Sequence, residues 1–418
     1  MTNSATLPEA TDVLVVGAGL SGLSCARVLV QHDVDVHVVD AADAVGGRVR
    51  TDEVDGFLLD RGFQVFLTAY SELQTQVDLK ELDLRAFDPG SIVWTGASLQ
   101  TLGDPFRKPG MALSSALSKV GRFGDKLKVA QLRRRLLGMT VEQCFDGPDR
   151  STQEELEAEG FSVEFIDRFF RPFLGGVFLE RKLVTTAKLF RYYFRCFAAG
   201  DAVVPSRGVQ RLPEQLAVGL ADRMTLNAEV ASVSANAATL VDGRSIKAKQ
   251  VVVAVDGGAA HQLLNTPAPD FKATVTSYFA AEQAPTEHPM LVLDGTGTGP
   301  ANHVAVMSNV APEYAPAGAH LISVSGVDAA ADDPDRYRDA VPGQLRAWFG
   351  QSVDTWKHLR TYHIPHALPS HPVGGPLQTD RIPRRPDGIV VAGDYAMFGA
   401  IQGALLSGRL AAAEILEA

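Results

Sequence analysis

The run DVLVVGAGLSGLSCARVLVQHDVDVHVVD over residues 12–40 constrains this chain more than any other stretch. Val13-Leu14-Val15-Val16 is short, rich in β-branched residues and bounded by glycine, the pattern of a parallel strand buried on both faces. Gly17-Ala18-Gly19-Leu20-Ser21-Gly22 supplies GxGxxG, and residues 23–30 continue with helical apolar spacing. The first glycine permits a tight turn, the second lets backbone approach a pyrophosphate, and the third lets helix pack on strand. At Leu20 and Ser21 the helix start offers unpaired N–H groups and a positive dipole end to phosphates. A second strand, Val36-His37-Val38-Val39, ends at Asp40, where an acid can grip ribose hydroxyls. Strand, turn, helix, strand and acid in this order imply a dinucleotide-binding unit. The plainer alternative is a glycine-rich turn of some other α/β protein.

Beyond Asp40, Gly46-Gly47-Arg48 brings a turn and a guanidinium back toward the phosphates, and arginine's fork suits two charge-assisted bonds to phosphate oxygens. With this GGR the chain resembles the FAD-dependent amine oxidoreductase superfamily, which includes monoamine oxidases, phytoene desaturases and protoporphyrinogen oxidases. The ribose-binding acid there is usually glutamate, so Asp40 is a shorter arm for the same contact. The resemblance also implies that the stretch around Gly62 runs past the flavin ring. Gly62 would allow close approach, and residues 63–66, Phe63 first, would line the pocket; for Phe66 a packed core role stands beside this one.

Composition narrows the partners. A formal charge of −10 argues against nucleic acid, which wants a basic face. Cys25, Cys144 and Cys196 share no CxxC spacing and give no disulfide framework, which fits a reducing compartment. No early segment has the order of a signal peptide, and no apolar run approaches the ~18 residues of a membrane span. The expectation is a cytoplasmic protein.

Residues 1–11 read as a short mobile tail, and residues 68–103 are turn-rich without a functional signature. From Pro105 to Phe197 the pattern turns helical. Leu113, Leu117, Val120, Phe123 and Leu127 recur at helical spacing as an amphipathic stripe. Around it lie Arg107, Lys108, Lys119, Arg122, Lys126, Lys128 and Arg133-Arg134-Arg135, against Asp104 and Asp125. Such a stretch suits either a solvated helical face or, over residues 105–135, peripheral contact with an anionic membrane. The aromatics Phe169, Phe170, Phe173, Phe178, Phe190, Tyr192, Tyr193, Phe194 and Phe197 form either core or an apolar cleft.

At Pro205-Ser206-Arg207-Gly208-Val209-Gln210-Arg211-Leu212 the chain resembles the superfamily's return to the FAD domain, with Arg207 where a glycine is usual. Residues 227–233 and 251–255 read as strands, and in the superfamily the valine matching Val230 bonds adenine through its backbone. Gly295-Thr296-Gly297-Thr298-Gly299 precedes Pro300 and a strand-like run, so it reads as a hairpin loop and not as a second dinucleotide site. His358, His363, His366 and His371 match no helix-borne zinc spacing, and neighbouring prolines make the segment loop-like or extended, so no metal is expected.

Ile389 to Asp394 is a strand ending in Gly393-Asp394, and residues 399–408, Ile401 among them, lead into a last helix over 409–416. The resemblance implies that Gly393 and Asp394 contact pyrophosphate and ribitol. The start of the last helix would face the flavin's pyrimidine end and stabilise the charge of the reduced ring. The implied fold is α/β. A doubly wound, Rossmann-like FAD-binding domain comes from residues 1–70, 201–265 and 381–418, and an inserted α+β substrate domain from residues 71–200 and 266–380.

Amine oxidases of the monoamine type carry an aromatic residue at the place of Ala400, and alanine supplies no such wall. They also tend to carry a lysine near flavin N5, where this chain has Thr274 with Lys272 two residues away. No cysteine follows Asp328, so FAD is expected to be non-covalent. The expected reaction is hydride removal from an apolar small molecule, desaturase-like, with O2 or a quinone as acceptor and no single obligatory acid or base. An amine or protoporphyrinogen-type oxidase using O2 is the alternative. From another class stand a non-redox flavoprotein isomerase and an FAD-binding regulatory protein.

Overall fold

In the computed structural model, which describes residues 7–382 and 384–417, two seven-stranded sheets share the chain. The first runs in the order Met224–Thr225, Val36–Val39, Ala10–Val16, Ser245–Val253, Ala237–Leu240 and Val230–Ser234, with Val390–Val391 also paired to Ser245–Val253. Its central strands are parallel, and where they end, at Val13–Val16 and Val251–Val253, they are all valine and leucine, as suits a sheet covered on both faces. Their register puts Thr225, Val39, Val16, Val253 and Val391 side by side in one row. The carboxyl ends of five strands therefore stop together, and Asp40, Gly17, Ala254 and Ala392 follow immediately. Ligands of open α/β sheets bind in that crevice.

Five helices matter for the site. Helix α1 is Leu20–Gln31, α2 is Ala112–Leu117, α3 is Phe123–Leu137, α4 is Ala187–Ala199 and α5 is Ile401–Leu416. Helix α5 begins at Ile401, eight residues before the start expected from the sequence. Glycines lower helix propensity, but here they serve close packing. A Cβ at Gly408 would stand 2.1 Å from the Ser21 carbonyl oxygen, and one at Gly403 would stand 1.9 Å from that of Phe398. Ser24 Oγ of α1 donates to the Leu405 carbonyl at 2.8 Å across the same contact.

The second sheet runs Lys357–Pro369, Phe271–Ala281, His320–Val327, His303–Val306, Leu291–Asp294, Gly90–Trp94 and Leu99–Gly103. Pairing is antiparallel except where Leu291–Asp294 lies parallel to Gly90–Trp94. Residues 295–302 form the connection between two antiparallel strands. The proline-bearing segment with His358, His363 and His366 is itself a strand, paired to Phe271–Ala281 with irregular register.

Asp60 joins the two halves. It ends the strand Phe57–Asp60 and is 1% exposed. Its carboxylate accepts from Thr51 Oγ1 at 2.6 Å, Val209 N–H at 3.1 Å and Tyr314 OH at 2.8 Å. Tyr278 OH donates to its carbonyl at 2.9 Å. Burial pushes the carboxyl up from 3.8 to about 6, against the pull of those donors.

Residues 10 and 11 belong to the first strand, which shortens the expected tail, and residues 1–6 lie outside the described residues. The stripe at 113–127 is not one helix, since α2 ends at Leu117 and α3 starts at Phe123. Of its five apolar residues only Val120 is buried. Among the described residues no helix is long and apolar enough to cross a membrane.

Candidate active site

A cavity of about 1240 Å³ begins at the crevice of the first sheet and runs beneath the second sheet to α2, α3 and α4. At its first end the chain turns at Gly17, whose φ of +113° leaves no room for a side chain: a Cβ would meet the Ala254 carbonyl oxygen at 2.6 Å. At Gly19 nothing lies within 4 Å of a Cβ position, so the backbone there faces open cavity. Gly22 is placed differently. It does not line the cavity, and a Cβ on it would stand 1.9 Å from the Gly17 carbonyl oxygen, so it closes the helix onto the turn.

The segment 46–48 folds onto this turn. Gly46 N–H donates to the Ala18 carbonyl at 2.9 Å, and a Cβ on Gly47 would touch Gly19 Cα at 3.5 Å. Asp40 is fixed by its neighbours: Oδ2 accepts the Ala18 N–H at 2.5 Å and Oδ1 accepts the Ala42 N–H at 2.7 Å. Each oxygen keeps a further lone pair for a hydroxyl. Arg48 Nη2 donates to Asp394 Oδ1 at 2.6 Å and Nη1 to the Ala367 carbonyl at 2.9 Å.

Helices α1 and α5 both open on this cavity, and no side chain caps either N-terminus. Two sets of orphan N–H groups and a guanidinium suit a doubly charged pyrophosphate. Asp40 suits a ribose, and the cradle at Gly17 and Gly19 suits close backbone approach. The residues present fit a dinucleotide.

The expected residues gather well. Gly17, Gly19, Leu20, Ser21, Asp40, Gly47, Arg48, Gly62, Phe63, Val230, Gly393, Asp394 and Ile401 all line the one cavity, and Gly22 stands behind it. Gly62 has φ +88°, a conformation that favours glycine, and the nearest atom to a Cβ there is Ile364 Cγ1 at 3.7 Å. Phe63, Gln64 and Val65 line the wall, but Phe66 is buried in the core, pairing with Val203 in a short strand. Thr274 lines the cavity and donates through Oγ1 to the Gly326 carbonyl at 3.0 Å, whereas Lys272 stays off the wall. Arg207 is exposed, so the missing glycine of the return turn costs nothing there.

The aromatic cluster divides. Phe169, Phe173, Tyr193, Phe194 and Phe197 line the cavity, while Phe170, Phe178, Phe190 and Tyr192 fill the core. Tyr193 OH donates to the Gly399 carbonyl at 2.6 Å, so its hydroxyl is spent on the protein and its ring is left as wall. Residues 88–91 and 102–104, silent in sequence, also contribute wall.

His303 is the polar group that sequence reasoning missed. It is 4% exposed, lines the cavity and packs edge-on to Phe63 with ring centroids 4.9 Å apart. Arg181 Nε donates to Asn302 Oδ1 at 3.2 Å, and Asn302 Nδ2 donates to the Pro172 carbonyl at 2.8 Å. This fixes the amide, whose second N–H faces His303 Nδ1 at 3.3 Å. Nδ1 is then the acceptor and Nε2 carries the proton. Nε2 is itself shut off from solvent, with no partner among the described residues. Burial, helped by Arg181, pushes the imidazole down from 6.5 to about 4, so it is neutral near pH 7. The only sequence signal was a histidine opening an otherwise apolar strand.

Comparison with known proteins agrees with this geometry. Over residues 20–416 the sequence matches the family described as flavin containing amine oxidoreductase. Coproporphyrinogen III oxidase of Mycobacterium leprae is 31% identical over 170 residues, covering 39% of this chain and 36% of that protein. The chain thus spans about a third of that relative's length and 9% of the canine flavin-containing amine oxidase A, another relative it matches. Among solved structures, a putative protoporphyrinogen oxidase from Exiguobacterium sp. 255-15 superposes with TM-score 0.75 at 18% identity, covering 99% of this chain and 100% of that one. Putrescine oxidase bound to putrescine gives 0.72 at 18% identity, covering 98% and 99%.

Proposed function

Since this chain belongs to the flavin-containing amine oxidoreductase family and is an FAD-dependent oxidoreductase, we propose that it removes a hydride from an apolar organic substrate, in the manner of a desaturase. The observation that carries this reading is the wall of phenylalanines 169, 173, 194 and 197, continued by Phe63 and by Ala400 where an amine cage would need an aromatic ring. When bound, FAD supplies a two-electron, hydride-accepting centre.

The chain's own residues do the rest. Backbone N–H groups from Gly19 to Ser21 would hold the pyrophosphate, Asp40 the ribose hydroxyls and the Val230 backbone the adenine. Arg48, Gly47, Gly393 and Asp394 would hold the phosphates and ribitol. Gly62 and Phe63 would hold the ring, and Ile401 would offer it the positive end of α5. His303, neutral and packed edge-on behind Phe63, holds that ring in place as wall. The aromatic wall excludes water from the reacting carbon. None of Cys25, Cys144 and Cys196 lines the cavity, which supports non-covalent attachment. The acceptor is a quinone or O2, the location is cytoplasmic, and residues 105–135 carry a peripheral contact with a membrane.

The second reading is an oxidase of the porphyrinogen or amine type that uses O2. The relationship to coproporphyrinogen III oxidase favours it. Anaerobic titration of the yellow protein with polyenes and with amines, followed by admission of air, separates the two. Bleaching by polyenes with reoxidation over minutes is expected. Bleaching by amines alone, with reoxidation in seconds, would transfer the assignment to the oxidase.

A further inference from the structure

The expected amphipathic stripe points outward. Phe106, Leu113, Leu117, Phe123 and Leu127 are between 51% and 72% exposed, five large apolar side chains within one short segment. An amphipathic helix ordinarily turns such a stripe to the core. Here α2 does the reverse: Ala112, Ser115 and Ala116 face the cavity, while Leu113 and Leu117 face out. Helix α3 lies against it, with Lys126 Nζ donating to the Ser118 carbonyl at 2.7 Å. Arg133 stacks over Phe106 at 5.2 Å, which brings the loop before α2 onto the same face.

Charge says what covers this face. The molecule carries −10 overall, yet residues 105–135 hold nine basic side chains and only Asp125 as an acid. Lys119, Arg122 and Arg134 pair with no carboxylate among the described residues. Apolar side chains ringed by unpaired cations on an acidic protein match an anionic lipid surface, into which the former insert and to which the latter are drawn.

The position of the patch adds its purpose. Phe106, Phe123 and Leu127 are mostly exposed and also line the cavity, so the cavity opens to the outside between them. From there the lining runs inward to the phenylalanines of α4 and to Phe63. We propose that residues 105–135 form a portal that docks on an anionic bilayer, and that the substrate passes from lipid into the cavity without crossing water. The inference rests on the apolar-substrate reading, but docking is measured without any turnover.

The test uses the flavin-loaded protein, sedimented with vesicles of phosphatidylcholine containing 30% phosphatidylglycerol (about three in ten lipids anionic, as suits a basic face). Binding is expected, with at least a tenfold loss on pure phosphatidylcholine or in high salt. Leu113 and Leu117 do not line the cavity, so the double variant Leu113→Asp/Leu117→Asp should lose binding and keep its flavin spectrum. The charge variant Lys119→Glu/Arg122→Glu/Arg134→Glu should lose it as well. Val218→Asp, an equally exposed apolar site elsewhere, should bind as the parent does. Wild-type protein left in the supernatant, or undiminished binding by both multiple variants, overturns the proposal. So does a lipid-free dimer, seen by light scattering, that Leu113→Asp/Leu117→Asp dissolves, since a second copy would then own the face. Loss of flavin colour in wild type would instead strike the functional reading.

Discussion

Arg48 and Asp394 form an ion pair at 2.6 Å although 346 residues separate them. The guanidinium that follows the first βαβ unit is held by the carboxylate that precedes the last helix, and both line the cavity. The pair joins the beginning and the end of the dinucleotide site and keeps the arginine aimed before any phosphate arrives.

Removing Arg48 leaves Asp394, whose side chain is 7% exposed, without its cation. Arg48 itself is a third exposed, so solvent screens the loss. Arg48→Ala is therefore expected to cost ~2 kcal/mol in apoprotein stability, below the 3–5 typical of fully buried pairs. FAD affinity should fall at least tenfold. Thermal melts and flavin-fluorescence titration of the apoprotein read the two effects separately.

Asp40→Ala removes the acceptor of two backbone N–H groups as well as the proposed ribose ligand. Flavin should be lost on gel filtration, and Asp40→Asn should retain more of it. Full retention by the alanine variant would refute the ribose assignment.

Asp60 gives a pH dependence whose sign is unusual for a carboxylate. Its folded value is raised from 3.8 to about 6, so the native state holds the proton more tightly than the unfolded chain. The contribution is complete below pH 4 and is lost as pH rises through 6. At ~1.4 kcal/mol per tenfold in proton affinity it amounts to about 3 kcal/mol. Asp60→Asn keeps the shape, and the Tyr314 hydroxyl can turn to accept from the new amide. Denaturant melts from pH 4 to 7 should show wild type losing stability relative to this variant as pH rises.

His303→Ala empties the space behind Phe63 and takes an acceptor from the Asn302 amide, so it should cost about 2 kcal/mol in a denaturant melt. The same variant should raise KM more than it changes kcat, because Phe63 loses the ring that backs it. An unchanged melt would show that the imidazole does not support the wall.

The dinucleotide end of the site was legible because backbone geometry there dictates residue type. Gly17 is required by its φ and by Ala254, Gly22 by the helix pressing on the turn. The substrate end was not. Its wall takes residues from strands such as Gly90–Trp94 and Leu291–Asp294, which pair in parallel across nearly half of the chain, and no local pattern encodes that partnership. Helical periodicity at 113–127 announced an apolar face without saying which way it turns. The early start of α5 was hidden for a related reason: Gly403 and Gly408 read as a loop until the Phe398 carbonyl and the neighbouring helix α1 supply the cause.

That contact between α1 and α5 bears on how the protein is made. The hydrogen bond from Ser24 to Leu405 spans 381 residues. On a ribosome adding about 5–20 residues each second, α1 waits on the order of 20–80 s for its partner. The central strand Ala10–Val16 waits too, since its neighbour Ser245–Val253 emerges far later. The nucleotide-binding half cannot therefore finish as a unit before α5 has been made. Its strand edges and glycine-rich helix faces stay uncovered until then, the interval in which a chaperone has most to protect.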